Sequence, residues 1–424
     1  MEIYRTSKVF VPGGLPVLTY NPRQELKLED SVRRANDNLC KLMVVTGSTK
    51  SGKTVLVKNI FPKEKSVWFD GGSFSSEDEF WLDIVNQLDG FIDFTESQGK
   101  EKTHSNKAKG KAELTLSIPF PGMPSIGGEV EYFRDKKDNL TKTKSRRGSV
   151  KSIALNLLAE KKIPLIIDDF HYLNRDKQAS IIRAVKSLIF DGQPVIFIAI
   201  PHRRFDPIKV EKEMTGRVEN VNIPPWEKDE LKEIAAIGFP LLNLSVEDSV
   251  IFSLVNESIS SPHLMQEFCR EFCAINNIHE TVPNKRIIGF EENKLKKLYS
   301  DVAVMTGKIM FEKLSKGPRQ RSDRIKRPTS DGSDPDIYGL VLKALANLKP
   351  ALEKVEYVDL RREISNISVD RTPEAHEISR VLEYMSKIAS SDESSTPVID
   401  WEKDDRILHI TDPFFAYYLR WGKI

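Results

Sequence analysis

The residues best placed to do chemistry stand at 47–54 and at 168–169. Gly47-Ser48-Thr49-Lys50-Ser51-Gly52-Lys53-Thr54 fills every fixed position of the spacing G-x-x-x-x-G-K-[ST]. Glycines at those positions let consecutive backbone N–H groups curl around a phosphate, and a helix N-terminus behind them adds its dipole. Lys53 is placed to reach β- and γ-phosphate oxygens, and the Thr54 hydroxyl is a magnesium ligand. Val55 completes the cofactor-binding run. Pro164-Leu165-Ile166-Ile167-Asp168-Asp169 is an apolar run ending in two carboxylates. Asp168 is read as holding Mg²⁺ through water, and Asp169 as orienting or deprotonating an attacking water. The competing readings are a glycine-rich turn and a strand that stops at an acidic corner.

Such groups need a rigid frame. Leu42-Met43-Val44-Val45-Thr46 reads as a buried strand before the loop, and Thr54 to Ile60 as the helix after it. The run before Asp168 reads as a second buried strand that delivers its acids at the carboxyl edge of a parallel sheet. A third, Pro194 to Ile200, ends at Pro201-His202-Arg203-Arg204. His202 or Arg203 could there sense a γ-phosphate, although a basic surface corner fits equally. Apolar strands separated by amphipathic stretches give an α/β class with a doubly wound parallel sheet.

The order of phosphate loop, Ile166-Ile167-Asp168-Asp169-Phe170-His171 and a strand ending in arginine resembles the AAA+ ATPases. The resemblance points to their archaeal-ATPase, origin-recognition and STAND branches and covers roughly residues 15–90 and 150–424. It implies a P-loop NTPase sheet with a helical lid and a C-terminal winged-helix domain, ATP and Mg²⁺ as cofactors, and a homo-oligomer. Gly216-Arg217-Val218 stands where such proteins carry an arginine finger, so Arg217 joins Asp169 and Arg203 as a candidate catalytic residue. Ser260-Ser261-Pro262-His263 resembles the G-x-P motif of STAND lids, which adds Pro262 and His263 to the cofactor-binding set. Ser260 replaces the glycine of that motif, and His263 stands where many AAA+ proteins have a sensor arginine. The expected division is an N-terminal linker packing on the nucleotide site (1–30), an ATPase core (31–226), a helical lid (227–300), a basic linker (301–335) and a winged helix (336–424).

Composition agrees with a cytoplasmic machine. The 424 residues suffice for two or three domains, with 39% hydrophobic and 30% charged residues. No apolar run approaches the ~18 residues of a membrane span, and Met1-Glu2-Ile3-Tyr4-Arg5 does not open a signal peptide. Cys40, Cys269 and Cys273 make neither a disulfide framework nor a zinc site; the last two, four apart, read as core residues on one helical face.

The net charge of +2 is unevenly spread. Between loop and Asp strand, about residues 95–148 exceed what an α/β core needs. Ala112 to Ile118 and Gly128 to Phe133 alternate as an inserted β-hairpin, flanked by Lys100, Lys102, Lys107, Lys109, Lys111, Arg134, Lys136, Lys137, Lys142, Lys144, Arg146 and Arg147. A second basic stretch, 316–327, lies in the linker. Each is either a solvated flank or an arm for nucleic acid or an acidic partner. In the last domain, helices are expected over 337–345 and 359–365 and from a Thr372 cap with Pro373 at its first position. Val398 to Trp401 and Ile407 to Ile410 form a wing hairpin, and Asp412 caps a final helix. The third helix sets Glu374, Glu377 and Glu383 against Arg380 and Lys387, a balance that opposes a phosphate backbone. These readings make an ATP-driven conformational switch the leading expectation. A nucleic-acid-binding loader stands second, and a nucleotide-gated scaffold for a separate effector protein third.

Overall fold

The computed structural model describes residues 2–74, 76–88, 91–93, 114–119, 143–200, 207, 211–319, 323–348, 354–390 and 397–422. The N-terminal segment carries α1 (Thr6–Val9) and α2 (Leu28–Arg33). The core then runs β1 (Leu42–Thr46), α3 (Lys53–Ile60), β2 (Val67–Asp70) and α4 (Glu77–Gln87). An insertion follows with β3 (Phe91–Asp93), β4 (Leu114–Pro119) and β5 (Thr143–Gly148). The core resumes with α5 (Val150–Lys161), β6 (Leu165–Asp168), α6 (Arg175–Phe190), β7 (Val195–Ala199) and β8 (Val218–Asn222).

The five core strands form one parallel sheet in the order β2-β6-β7-β1-β8. Strand alternation splits its side chains between two layers. Leu42, Val44, Phe69, Ile167 and Phe197 pack under α4, α5 and α6. Met43, Val45, Ile166, Ile196 and Ile198 pack under α2 and α3. Burial on both faces is why β1, β6 and β7 are apolar up to their polar tips, whereas the edge strand β8 carries Glu219, Asn220 and Asn222. Hydroxyl and amide caps start the covering helices: Ser76 accepts from the Glu79 amide, Ser149 from Ser152 and Asn174 from Lys177.

The insertion departs from the expected hairpin. Of the expected first strand, Leu114 to Ile118 fall in β4, whose partners are β3 and β5 in an antiparallel three-stranded sheet. Residues 128–133 lie outside the described residues. Lys144, Arg146 and Arg147 belong to β5, not to a loose tail.

The lid comprises α7 (Lys228–Leu241), β9 (Leu244–Val246), α8 (Asp248–Glu257), α9 (Pro262–Ile275), β10 (Arg286–Ile288) and α10 (Glu292–Lys316). Cys269 and Cys273 are fully buried in its core. The linker expected over 301–335 is corrected here. Residues 301–316 continue α10, because Val302, Ala303, Gly307 and Leu314 keep a buried helical stripe up to the basic stretch that begins at 316. Farther on, Arg324 binds Asp336 at 2.7 Å and Arg327 binds Glu377 at 3.0 Å, so two linker cations are held by the last domain.

That domain comprises α11 (Ile337–Asn347), β11 (Lys354–Glu356), α12 (Tyr357–Ile367), α13 (Ala375–Ala389), β12 (Ile399–Glu402), β13 (Ile407–Ile410) and α14 (Pro413–Trp421). Three helices with the sheet β11-β13-β12 make a winged helix. The third helix begins later than Thr372 predicts: Glu374 and Glu377 form a reciprocal capping box, and the Thr372 hydroxyl turns to Ser365 instead. Asp412 caps α14 by accepting from the amides of Phe414 and Phe415. This last helix belongs to two cores. Phe415, Ala416 and Leu419 pack in the winged helix, while Tyr417 and Tyr418 pack in the lid. The Tyr417 hydroxyl donates to the Tyr299 carbonyl, and Arg420 and Trp421 both donate to Glu257.

Candidate functional site

The phosphate loop leaves β1 at the carboxyl edge of the sheet and enters α3 through Gly52, whose φ of +93° is a left-handed backbone that glycine adopts without penalty. The Lys53 ammonium is turned into the loop and donates to the carbonyls of Gly47 (2.9 Å) and Ser48 (2.8 Å). Burial pulls its pKa down to about 8, against the pull of Asp169 and Asp168. A buried cation satisfied only by carbonyls can exchange those partners for anionic oxygens.

Beside it, the Thr54 hydroxyl donates to Asp168 Oδ2 at 2.7 Å, and the Asp169 amide donates to Asp168 Oδ1 at 3.0 Å. Asp169 sits at φ +50°, a left-handed turn that brings its carboxyl to the cavity wall. Burial, then the charge of Asp168, pushes its pKa up to about 7; Asp70 adds to the effect and Lys53 opposes it. Asp70 is there because β2 pairs with β6 in a register that sets it opposite Asp168. The turn after β2 is tight. The Gly71 amide donates to the Asp168 carbonyl at 2.8 Å, and a Cβ on Gly71 would lie 2.4 Å from the Asp169 carbonyl oxygen.

Thr54 and Asp168 are hard oxygen donors of the kind Mg²⁺ takes, and the negative charge gathered by Asp70, Asp168 and Asp169 suits a cation. Among the described residues no group of three His, Cys, Asp or Glu side chains forms a cage for a metal. One carboxylate and one hydroxyl nevertheless fit an ion that keeps several waters and completes its shell with phosphate oxygens.

The cavity, about 410 Å³, is walled by residues Thr49 to Val55 and by Asp169, and roofed by the N-terminal segment and the lid. Its size and mixed lining suit a small-molecule ligand. The roof is stitched: the Val11 amide donates to Gln266, Gln266 to Thr19, and the Thr19 hydroxyl to the Val9 carbonyl. Tyr20, Asn21 and Pro22 continue the lining of the cavity. Pro262 and His263 reach the cavity from the start of α9, where the Ser261 hydroxyl caps the helix. The His263 ring packs edge-on against Phe414 of α14, with centroids 4.8 Å apart. Burial, helped by Lys50, drives its pKa down to about 4, so the imidazole is neutral. Ser260 carries φ +51°, which explains why glycine suits that position.

The structure thus gathers Thr49, Lys50, Ser51, Gly52, Lys53, Thr54, Val55, Asp169, Pro262 and His263 around one cavity, with Asp168 joined through Thr54. Ser48 faces an adjoining cleft toward the winged helix. Arg217 is not in this group. It is exposed just before β8, and its carbonyl accepts from the Leu42 amide at the amino edge of the sheet, opposite the phosphate loop. Arg203 and His202 lie outside the described residues. Four contributors went unnamed in the sequence reading: Asn21, Arg23, Asp70 and Trp226. None carries a motif, and each matters through a partner distant in the chain. Asp70 alone had a signal, as the polar end of an apolar run.

No protein-family model and no curated protein matches the chain. Solved structures do. A Walker-type ATPase of Pyrococcus abyssi aligns over 95% of this chain and 96% of its own, at 14% identity and a TM-score of 0.54. The ORC2 protein of Aeropyrum pernix aligns over 98% of both chains at 11% identity and a TM-score of 0.47. A STAND protein with a tetratricopeptide repeat sensor from Pyrococcus horikoshii aligns over 94% of this chain and 42% of its own, at 13% identity and a TM-score of 0.36. With the sheet order, the phosphate loop and the first of these likenesses together, the chain has the fold of a Walker-type ATPase.

Proposed function

We propose that the protein is an ATP-driven conformational switch that binds ATP with Mg²⁺ and hydrolyses it slowly. The observation that carries this reading is the joining of loop, acid pair and roof in a single cavity, with Thr54 hydrogen-bonded to Asp168 and Lys53 turned inward. In the reading, Lys53 leaves its two carbonyls for β- and γ-oxygens, and the loop amides cradle the phosphates. Thr54 and Asp168 hold Mg²⁺, whose chemistry is to neutralise charge on the transferring group. Asp169, once ionised, accepts a proton from the attacking water. Neutral His263 cannot supply a cation, so the lid contributes packing and hydrogen bonding. Arg217 faces away from its own cavity and would serve a neighbouring subunit, in keeping with a homo-oligomer. An effector protein would then read the assembled state.

Lys53→Ala tests the reading by calorimetry. The folded variant should lose ATP binding, and the wild type should change its elution volume between nucleotide-free and ATP-bound forms. Unchanged affinity would remove the nucleotide assignment. A nucleic-acid-binding ATPase is the second reading, favoured by the run Lys144-Ser145-Arg146-Arg147 placed on an outlying strand. The paired charges of α13 count against it: Lys387 binds Glu383 at 3.1 Å, and Glu377 is taken by Arg327. Among the described residues no helix is long and apolar enough to cross a membrane.

A further inference from the structure

Trp226 ends the segment that joins sheet to lid, and three elements meet on it. Its indole N–H donates to the carbonyl of Ser51, inside the phosphate loop, at 2.9 Å in a buried setting. The Arg23 guanidinium lies over the indole ring, 4.9 Å from its centroid. Arg23 is itself 6% exposed and fully committed. It donates to the carbonyls of Pro224 and Pro225, both at 2.9 Å, and to both carboxylate oxygens of Glu230 at 2.8 Å. Glu230 in turn accepts from the Glu227 amide at 2.7 Å and so caps the first turn of α7. The Asn21 side-chain amide donates to the Glu230 carbonyl, and Asn21 and Arg23 also line the cavity. One continuous set of bonds therefore runs from the phosphate loop through Trp226, Arg23 and Glu230 to the start of the lid.

We infer that Trp226 is a positioning residue that makes the phosphate loop and the lid's first helix a single mechanical joint, so that a change in the loop is felt at the lid. The inference rests on the nucleotide reading above for its use, but the joint exists without ligand. When Lys53 releases Gly47 and Ser48, the Ser51 carbonyl is still held by Trp226, on the side of the loop away from the Thr54–Asp168 bond. Moving that carbonyl drags the indole, and the indole carries the Arg23 fork and the helix cap. An Arg fork is directional, so a shift of the ring is passed on and not absorbed. Two-site coupling of this sort needs an element that both sites touch, and the indole is that element.

The test is amide hydrogen exchange on the full chain with Trp226→Phe, which keeps an aromatic ring under Arg23 and removes the N–H. Without nucleotide, amides at 51–54 and at 228–231 should both exchange faster, by roughly three- to tenfold, the equivalent of one net hydrogen bond. Amides of α11 should not change. Arg23→Lys keeps a cation for Glu230 but loses the fork, and should loosen the same two segments; it serves if Trp226→Phe does not fold. In wild-type protein, ATP should protect 228–231, and in Trp226→Phe at saturating ATP that protection should be lost. Acceleration confined to one segment, or to neither, overturns the joint. Coupled acceleration in Trp226→Phe, together with a wild type that fails to bind ATP, would leave the joint standing and remove the nucleotide reading, so the two failures separate.

Discussion

Gly71→Ala should be a catalytic mutation although Gly71 touches no ligand. The new Cβ would meet the Asp169 carbonyl oxygen at 2.4 Å and the Asp168 carbonyl oxygen at 3.3 Å. Its obstacle is space alone, since Gly71 does not have the positive φ that would strain alanine by itself. An ordinary contact requires the Asp169 turn to retreat by about 1 Å, and a misplacement of that size at a reacting group costs on the order of 100-fold in rate. Overpacking should also lower stability by roughly 1–3 kcal/mol. The loop and Lys53 follow β1, whereas Gly71 follows β2, so ATP affinity should change little. Phosphate release under saturating Mg-ATP gives kcat, a fluorescent ATP analogue gives Kd, and a thermal melt confirms folding. Asp169→Asn is the companion, with affinity kept and turnover stopped. A folded Gly71→Ala protein that hydrolyses ATP at the wild-type rate would show that the position of Asp169 does not govern the step.

Four further outcomes are expected. Because Asp169 holds its proton up to about 7, kcat/KM should rise with pH through that value, and Asp70→Asn should move the rise to lower pH; a profile flat from pH 5 to 8 would exclude Asp169 as base. The same shift sets a stability trend. Native Asp169 keeps a proton that the unfolded chain releases near 3.8, so its contribution is present below about pH 4 and declines as pH rises through about 7 in denaturant titrations. Arg217→Ala should keep binding and lose hydrolysis, and mixing it with Asp169→Asn protein should restore part of the activity; no recovery in confirmed mixed oligomers would end the trans role. Deleting residues 97–146 removes eleven lysines and arginines and none of the five core strands, so ATP binding should persist. Filter binding at two salt concentrations should then show weak DNA affinity little altered by the deletion, whereas a steep salt dependence that flattens would favour the nucleic-acid reading.

Sequence exposed the frame wherever one local rule was enough. Five buried residues before Gly47 and a clean G-x-x-x-x-G-K-T spacing placed the loop, and two acids after Ile167 placed its partner. Asp412 with Pro413 announced α14 because a cap and a first-turn proline act within a few residues. Rules that compete were harder to read. Thr372 is a good cap by type, yet Glu374 wins because Glu377 returns its hydrogen bond. The basic stretch at 316–327 drew the expected linker back to 301, but the buried stripe of α10 faces α14, which lies a hundred residues on. The roof escaped residue-level reading for the same cause: Arg23 has meaning only beside Trp226 and Glu230, and no spacing in the sequence joins 23 to 226.

The two-core membership of α14 has a consequence for how the molecule is made. The parallel sheet can close once β8 has been synthesised, since all five strands are then present. The lid cannot. Its core lacks Tyr417 and Tyr418, and Glu257 lacks Arg420 and Trp421, until residues 413–421 have emerged. Domains on a growing chain fold in order of appearance, so the parallel-sheet core waits beneath an unfinished roof through the whole synthesis of the winged helix. The lid and the winged helix should then be completed in one event, and should afterwards melt together as a single unit.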